Sequence, residues 1–280
     1  MKNGVRLTCA LAVSVWMLRA EQPCENWLSP YTGADATGEK VVGLWTFADL
    51  KDASGKGRDA VLHGTVLVPD ARWGSCLESF CGWPVEDKRH AAVVANHTSL
   101  SPRGAFTLEM WIKPKPEFVD YPEAFLIDKK YVAHTDYQWT LGAADKSGQR
   151  RAYLRLGFGD DSEVYSSEPS VFATNIWTHL AVTYDGAGTV RFFRDGTAQG
   201  TVTRTGRGRI APGGHPLSIG DRIGSYYHGF PGYLTQVRLC QGALEFRPVT
   251  LALTSDRSVF VRMEKTSALR FKLANAQREA

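Results

Sequence analysis

The chain has 280 residues, enough for one large β domain or two smaller ones, and its 43% hydrophobic and 22% charged content is ordinary for a globular protein. Lys2, Arg6 and Arg19 supply three of the four net positive charges, so without residues 1–20 the charge falls to +1. That near-neutral balance excludes an electrostatic case for a nucleic-acid partner, while 27 glycines and 11% aromatics favour an all-β fold with many turns.

Residues 1–20 read as a secretory signal: a positive start at Lys2 and Arg6, an apolar run over 7–18 too short to span a bilayer, and a small-residue site at Leu18-Arg19-Ala20. No later segment is apolar enough to span a membrane, so the chain is expected outside the cell, at its surface or in a periplasm. Residues 21–40 are polar and rich in turn formers and form a lead-in. Strand patterns follow at 41–47, 60–68, 90–95, 106–113, 124–129, 137–143, 151–158 and 163–166. Thr178, Leu180, Val182 and Tyr184 then alternate with Trp177, His179, Ala181 and Thr183, and a glycine turn at 185–188 leads into a strand that closes at Asp195-Gly196. The pattern continues at 197–204, 217–220 and 232–240. Short strands at this spacing, with almost no helical periodicity, predict a two-sheet antiparallel jelly-roll sandwich. Beyond it, 258–262 and 268–272 alternate like a C-terminal β-hairpin, within a segment 248–280 that could also begin a further β domain.

Cys9 leaves with the signal. Cys24, Cys76, Cys81 and Cys240 remain, an even number that in an exported chain suggests two disulfides with three possible connectivities. Cys76 and Cys81 are five apart in an extended run, roughly 16 Å, too far to pair with each other unless the chain bends. No Cys/His spacing matches a zinc site. Asn96-His-Thr98 has the pattern of a glycosylation acceptor.

Phe106-Thr-Leu-Glu-Met-Trp-Ile-Lys-Pro114, Trp177-Thr-His-Leu-Ala-Val-Thr-Tyr-Asp185, Phe193-Arg-Asp-Gly196 and Gly232-Tyr-Leu-Thr-Gln-Val-Arg-Leu239 occur in that order, after Leu44-Trp-Thr-Phe47 and Asp52-Ala-Ser-Gly-Lys-Gly57. Together they resemble the laminin-G-like, concanavalin A-like lectin/glucanase jelly roll over residues 41–247. The resemblance implies the fold, and a choice among lectins, adhesion modules, accessory domains and glycan-cleaving enzymes. Where such domains usually read Gly-x-Ile-Asp-Glu-Val, this chain has Thr235 and Gln236, which puts a family-type metal site in doubt.

Glycan hydrolysis needs two carboxylates about 5–9 Å apart, commonly at alternate positions of one strand. No such row occurs; Glu109 comes nearest, and its same-face neighbours are Thr107 and Trp111. His134, Tyr137, Gln138 and Arg155 offer lyase-type groups without a spacing that ties them together. Binding is the stronger expectation. If 106–113 and 151–158 share a sheet, its outer face carries Glu109, Trp111, Tyr153 and Arg155, flat rings for stacking on sugars and charges for their hydroxyls. The alternative makes Trp111 second-layer core and Glu109–Arg155 a structural ion pair. Tyr137, Trp139 and the run Tyr226-Tyr227-His228 give aromatics beside turns. Trp73 and Trp83 read as local packing. Loops 52–59 and 159–163 carry acids that could hold calcium, and Arg204, Arg207 and Arg209 could read an acidic glycan. The sequence thus predicts an exported, non-catalytic module for a glycan or an extracellular protein; the competing reading is a polysaccharide-degrading enzyme.

Overall fold

Alternation gives each strand one apolar face, and burying those faces against each other makes the sandwich. The computed structural model describes residues 24–224, 227–253 and 271–274. In chain order the elements are helix α1 (Gly33–Thr37), β1 (Val41–Trp45), β2 (Ala60–His63), β3 (Val66–Asp70), β4 (Gly74–Ser79), β5 (Ala91–Val94), β6 (Phe106–Pro114), β7 (Ala124–Asp128), β8 (Tyr137–Leu141) and β9 (Ala152–Gly157). They continue with β10 (Ser162–Ser166), β11 (Thr178–Tyr184), β12 (Thr189–Arg194), β13 (Thr197–Thr203), β14 (Leu217–Ile219), β15 (Gly232–Gln241), β16 (Thr250–Leu253) and β17 (Phe271–Ala274). The first sheet runs β13-β12-β11-β6-β15-β4-β3, with β1 also on β15; the second runs β10-β9-β8-β7-β14-β5-β2. Pairing within both is antiparallel, as the jelly-roll reading predicts.

Leu108, Met110 and Ile112 of β6 and Leu180, Val182 and Tyr184 of β11 meet Tyr137, Trp139 and Leu141 of β8 and Leu154 and Leu156 of β9 in one buried core. Each such Leu or Val contributes about 1.5–3 kcal/mol on full burial. The turn at Asp195 (φ 49°) and Gly196 (φ 72°) has the positive dihedrals of a tight hairpin. Glycine is needed there twice over, because a Cβ on Gly196 would lie 2.1 Å from the Arg247 carbonyl oxygen. Two expectations shift. The run 60–68 divides into β2 and β3 at Gly64 (φ 69°). The C-terminal hairpin pairs Thr250–Leu253 with Phe271–Ala274; the expected arms at 258–262 and 268–270 lie outside the described residues, as does the signal at 1–20.

The lead-in is part of the fold. It folds over the outer face of the first sheet, where Trp27, Trp111, Ala181, Phe193 and Phe246 form a second buried cluster. Trp27 Nε1 donates to the Arg247 carbonyl and Trp111 Nε1 to the Trp27 carbonyl. Beneath this cover lies a charged network. Arg238 Nε donates to Glu109 Oε1 at 2.6 Å, Arg238 also reaches Glu25 Oε2 at 2.6 Å and the Asp35 carbonyl at 2.8 Å, and its guanidinium lies 3.6 Å from the Tyr31 ring centroid. Tyr31 OH donates to Glu109 Oε2, and His179 Nε2 lies 3.0 Å from the same oxygen. A β-bulge makes this possible. In β15, Thr235 faces Trp111 while Arg238, not Val237, faces Glu109. The extra residue at Gln236 (φ 50°) turns Val237 into the core and Arg238 outward. Burial alone would raise the Glu109 carboxyl; Arg238, His179 and Tyr31 outweigh it and hold it below the usual range. At Glu25 burial outweighs Arg238 and the carboxyl is raised. Removing one partner strands a buried charge, so Glu109→Ala should cost about 3–5 kcal/mol in urea denaturation. Glu109→Leu combined with Arg238→Met should recover much of that loss.

The four cysteines expected to form disulfides are free thiols, which corrects that reading. Cys76 lies opposite Val68 on β3, and Cys240 sits six residues beyond Leu234, where β15 leaves β4. That separates them by roughly 16–20 Å at ~3.3 Å per residue, against the ~6 Å a disulfide spans. Cys24 bridges Glu245 instead, and Cys81 lies past the end of β4. Burial pushes the Cys76 thiol up to about 11 and that of Cys240 to about 12. Alkylation at pH 8 followed by peptide mapping should leave Cys24, Cys76 and Cys240 largely unmodified in the folded chain, and label all of them after denaturation.

Candidate functional site

The two outer faces differ. On the first sheet, Glu109 and Trp111 are 0% and 3% exposed. Trp111 packs on Trp27 (5.7 Å) and Trp73 (5.3 Å), as second-layer core under the lead-in. The expectation that they share an open face with Tyr153 and Arg155 is corrected by topology, since β6 and β9 belong to different sheets. The alternative Glu109–Arg155 ion pair is absent as well: Arg155 pairs with Glu123 at 2.6 Å. Tyr137 and Trp139 point into the core rather than to a loop surface, and burial drives the Tyr137 phenol well up.

The outer face of the second sheet collects the remaining candidates. Register places Phe125 and Asp128 of β7, Gln138 and Thr140 of β8, and Tyr153 and Arg155 of β9 side by side. A bulge between Phe125 and Ile127 puts both Phe125 and Asp128 on this side. Arg155 donates to Thr140 Oγ1 at 2.9 Å, and Thr140 donates to Glu123 Oε1 at 2.7 Å. The Tyr153 ring lies 5.7 Å from the Arg155 guanidinium. Arg155, Tyr153 and Glu123 are partly exposed, whereas Asp128 is enclosed. Asp128 accepts from Lys130 N, Tyr131 N, Gln138 Nε2 and Ile223 N; burial nonetheless raises its carboxyl.

Beside this polar strip stands an aromatic ledge. Trp83 and Tyr227 stack with centroids 5.3 Å apart and planes at 11°, His228 lies 3.9 Å from Tyr227, and a backbone bridge joins Trp83 to Tyr227. Trp83 is 43% exposed. Arg222 completes the ledge, its guanidinium 4.9 Å from the Tyr131 ring, 5.4 Å from Tyr227 and 5.8 Å from Phe125. Burial lowers the His228 imidazole. Asp221 accepts from His90 N and Arg222 N, and burial pushes its carboxyl up to about 7.

Tyr226 lies outside the described residues. Two of the three clustered arginines are occupied, while Arg209 is exposed: Arg207 is held by Asp161 and Glu163, and Arg204 Nε lies 3.5 Å from Glu163. Those contacts also engage the acids of loop 159–163, and Asp52 uses its carboxylate on Leu44 N, Ser54 N and Arg58 N. Among the described residues no group of three His, Cys, Asp or Glu side chains is placed to hold a metal. Among them, too, no helix is long and apolar enough to cross a membrane. Arg222, Trp83, Glu123 and Thr140 were missed by sequence reading. Trp83 and Tyr227 are 144 positions apart, and only the Gly-Asp-Arg-Ile-Gly turn at 220–224 hinted at a built loop.

Asp221 carries a pH signature. Its folded-state value exceeds the unfolded one, so between about 4 and 7 the folded chain binds a proton that the unfolded chain releases. Stability therefore falls as the pH rises through that window and levels off above it. Denaturation at several pH values should show the slope, of which Asp221 supplies on the order of 1–4 kcal/mol; Asp221→Asn should reduce it, leaving the same-signed share of Asp128 and Glu25.

Comparisons with known proteins agree with this architecture. A family model described as the concanavalin A-like lectin/glucanases superfamily matches residues 87–247. No curated protein sequence matches the chain. Among solved structures, the binding domain of Paraclostridial Mosquitocidal Protein 1 superimposes with a TM-score of 0.56 at 15% identity, over 74% of this chain and 50% of that one. The binding domain of botulinum neurotoxin DC, in complex with rat synaptotagmin II, gives 0.56 at 14% identity, over 75% and 50%. Botulinum neurotoxin type C, which depends on interaction with two ganglioside molecules to enter cells, gives 0.54 at 13%, over 75% and 49%. The chain thus spans about half the length of these structures, and at this identity the likeness concerns the fold.

Proposed function

We propose that this chain, which belongs to the concanavalin A-like lectin/glucanase superfamily, is an exported, non-catalytic module that binds glycan through the outer face of its second sheet. One observation carries the reading: a half-exposed aromatic ledge, Trp83 on Tyr227, stands beside the polar strip of Arg155, Glu123 and Tyr153. Flat rings cover the apolar face of a sugar, and fixed charged groups meet its hydroxyls. The similar toxin structures are binding domains, one of them in complex with a receptor protein and another dependent on gangliosides, which supports binding as the class of activity. The leader-like residues 1–20 support export.

Glu109, the carboxylate nearest to a hydrolytic set, is buried beneath the lead-in with His179 and Tyr31; of the lyase-type groups, Tyr137 lies in the core, His134 is bonded to Ser162 and Arg155 is paired with Glu123. The hydrogen bonds of Glu109, His179 and Tyr31 are spent on holding the lead-in, which favours the non-catalytic reading over a polysaccharide-degrading enzyme. Glycan-array binding followed by calorimetry is the test. Trp83→Ala and Tyr227→Ala should each weaken the strongest glycan hit at least tenfold, ~1.4 kcal/mol, with no reducing ends released by the wild type. Release of reducing ends would favour the enzyme, and a blank array with capture of an extracellular protein would favour an adhesion role.

A further inference from the structure

We infer that Arg222 is the anion-binding point of this face and that its ligand is an acidic glycan, engaged through a carboxylate or a sulfate ester; the inference rests on the glycan-binding reading above. Three arginines around the two sheets are committed to partners within the fold. Arg155 is held by Glu123 and Thr140, and Arg207 by Asp161 and Glu163. Arg150 is buried, with its guanidinium on the carbonyls of Phe118, Val119, Tyr121, Pro122 and Gly142. Arg222 differs from these three. Among the described residues no acceptor takes a hydrogen bond from its guanidinium, and its Nε is buried without a partner.

What surrounds Arg222 is aromatic. Tyr131, Phe125 and Tyr227 hold the guanidinium by its cation–π contacts. Rings fix the orientation of the planar fork without consuming its donors, which lowers the ordering cost of binding. Among the described residues no carboxylate forms an ion pair with it. Both Asp221 oxygens accept from backbone N–H groups, and Asp128 is enclosed by its own four donors. A second group nearby is in the same condition: His228 is 8% exposed and its Nδ1 has no partner. A carboxylate or sulfate matches the guanidinium fork with two charge-assisted hydrogen bonds. Trp83, exposed on the other side of Tyr227's ring contacts, supplies the surface on which the sugar ring rests.

Calorimetry with three polymers tests this: polygalacturonate carries carboxylates only, chondroitin sulfate carries both groups, and dextran is neutral. Binding of both acidic polymers assigns the carboxylate; binding of chondroitin sulfate alone assigns the sulfate. In either case Arg222→Ala should weaken binding at least tenfold, while Arg209→Ala, at an exposed arginine outside the ledge, should leave it unchanged. Arg222→Gln, which keeps most of the packing, should show the same loss if Arg222→Ala proves unstable. The inference is overturned if both Arg222 variants bind the acidic polymers like the wild type, or if dextran binds as tightly as they do. Loss of dextran binding in Trp83→Ala but not in Arg222→Ala would leave the glycan reading standing and remove only the anion assignment. Absence of binding to all three polymers and to the array would remove both.

Discussion

A carboxylate wholly removed from water stays ionised only beside a cation that is itself held in place, and Glu109 at the centre of the first sheet sets that requirement for everything around it. Arg238 meets the requirement, because a bulge rotates one residue of β15 into register with Glu109. Arg238 then needs more acceptors than Glu109 offers. Glu25 and the Asp35 carbonyl supply them, and both belong to the lead-in. The polar segment before the first strand is thereby drawn down over the sheet, and its aromatic residues close the cover. The lead-in owes its order to this ion pair and the rings above it more than to any helical or strand preference of its own.

Covering one outer face determines where function can reside. The first sheet presents its motif residues to the lead-in and to residues 244–249, and no ligand reaches Trp111 without displacing them. Among the described residues, loops lie over the outer side of the second sheet, and these leave Trp83, Tyr153 and Arg155 in partial contact with solvent. Paired charges such as Arg155–Glu123 orient a ligand without contributing much net charge. An unpaired cation among rings selects for one sign.

The strands were legible because period-two alternation reports the difference between core and outside. Leu180, Val182 and Tyr184 behave as their spacing implies. Alternation does not say which sheet a strand joins, so Glu109 and Arg155 were brought together on paper and separated in space. Nor does it distinguish an outer face open to water from one closed by another segment. Trp111 has the same pattern under either condition, and only the ordering of residues 24–37 decides. The bulge at Gln236 was equally hidden: the departure from Asp-Glu at 235–236 was visible, but its effect on Arg238 requires the pairing register. The ledge escaped for a different reason, since a stacked pair 144 residues apart leaves no local trace, and Arg222 in a turn of five residues resembles any solvated charge.

The first described residues lie beside the segment that follows β15. Glu25 N donates to the Glu245 carbonyl at 2.9 Å, and Cys24 lies opposite Glu245, both over the first sheet. A domain built this way is held from behind. A load applied at Cys24 and Glu245 bears on the covered face, where the Glu109–Arg238 clasp lies. The aromatic ledge stands against the other sheet, where Gly229 bridges Phe125 of β7.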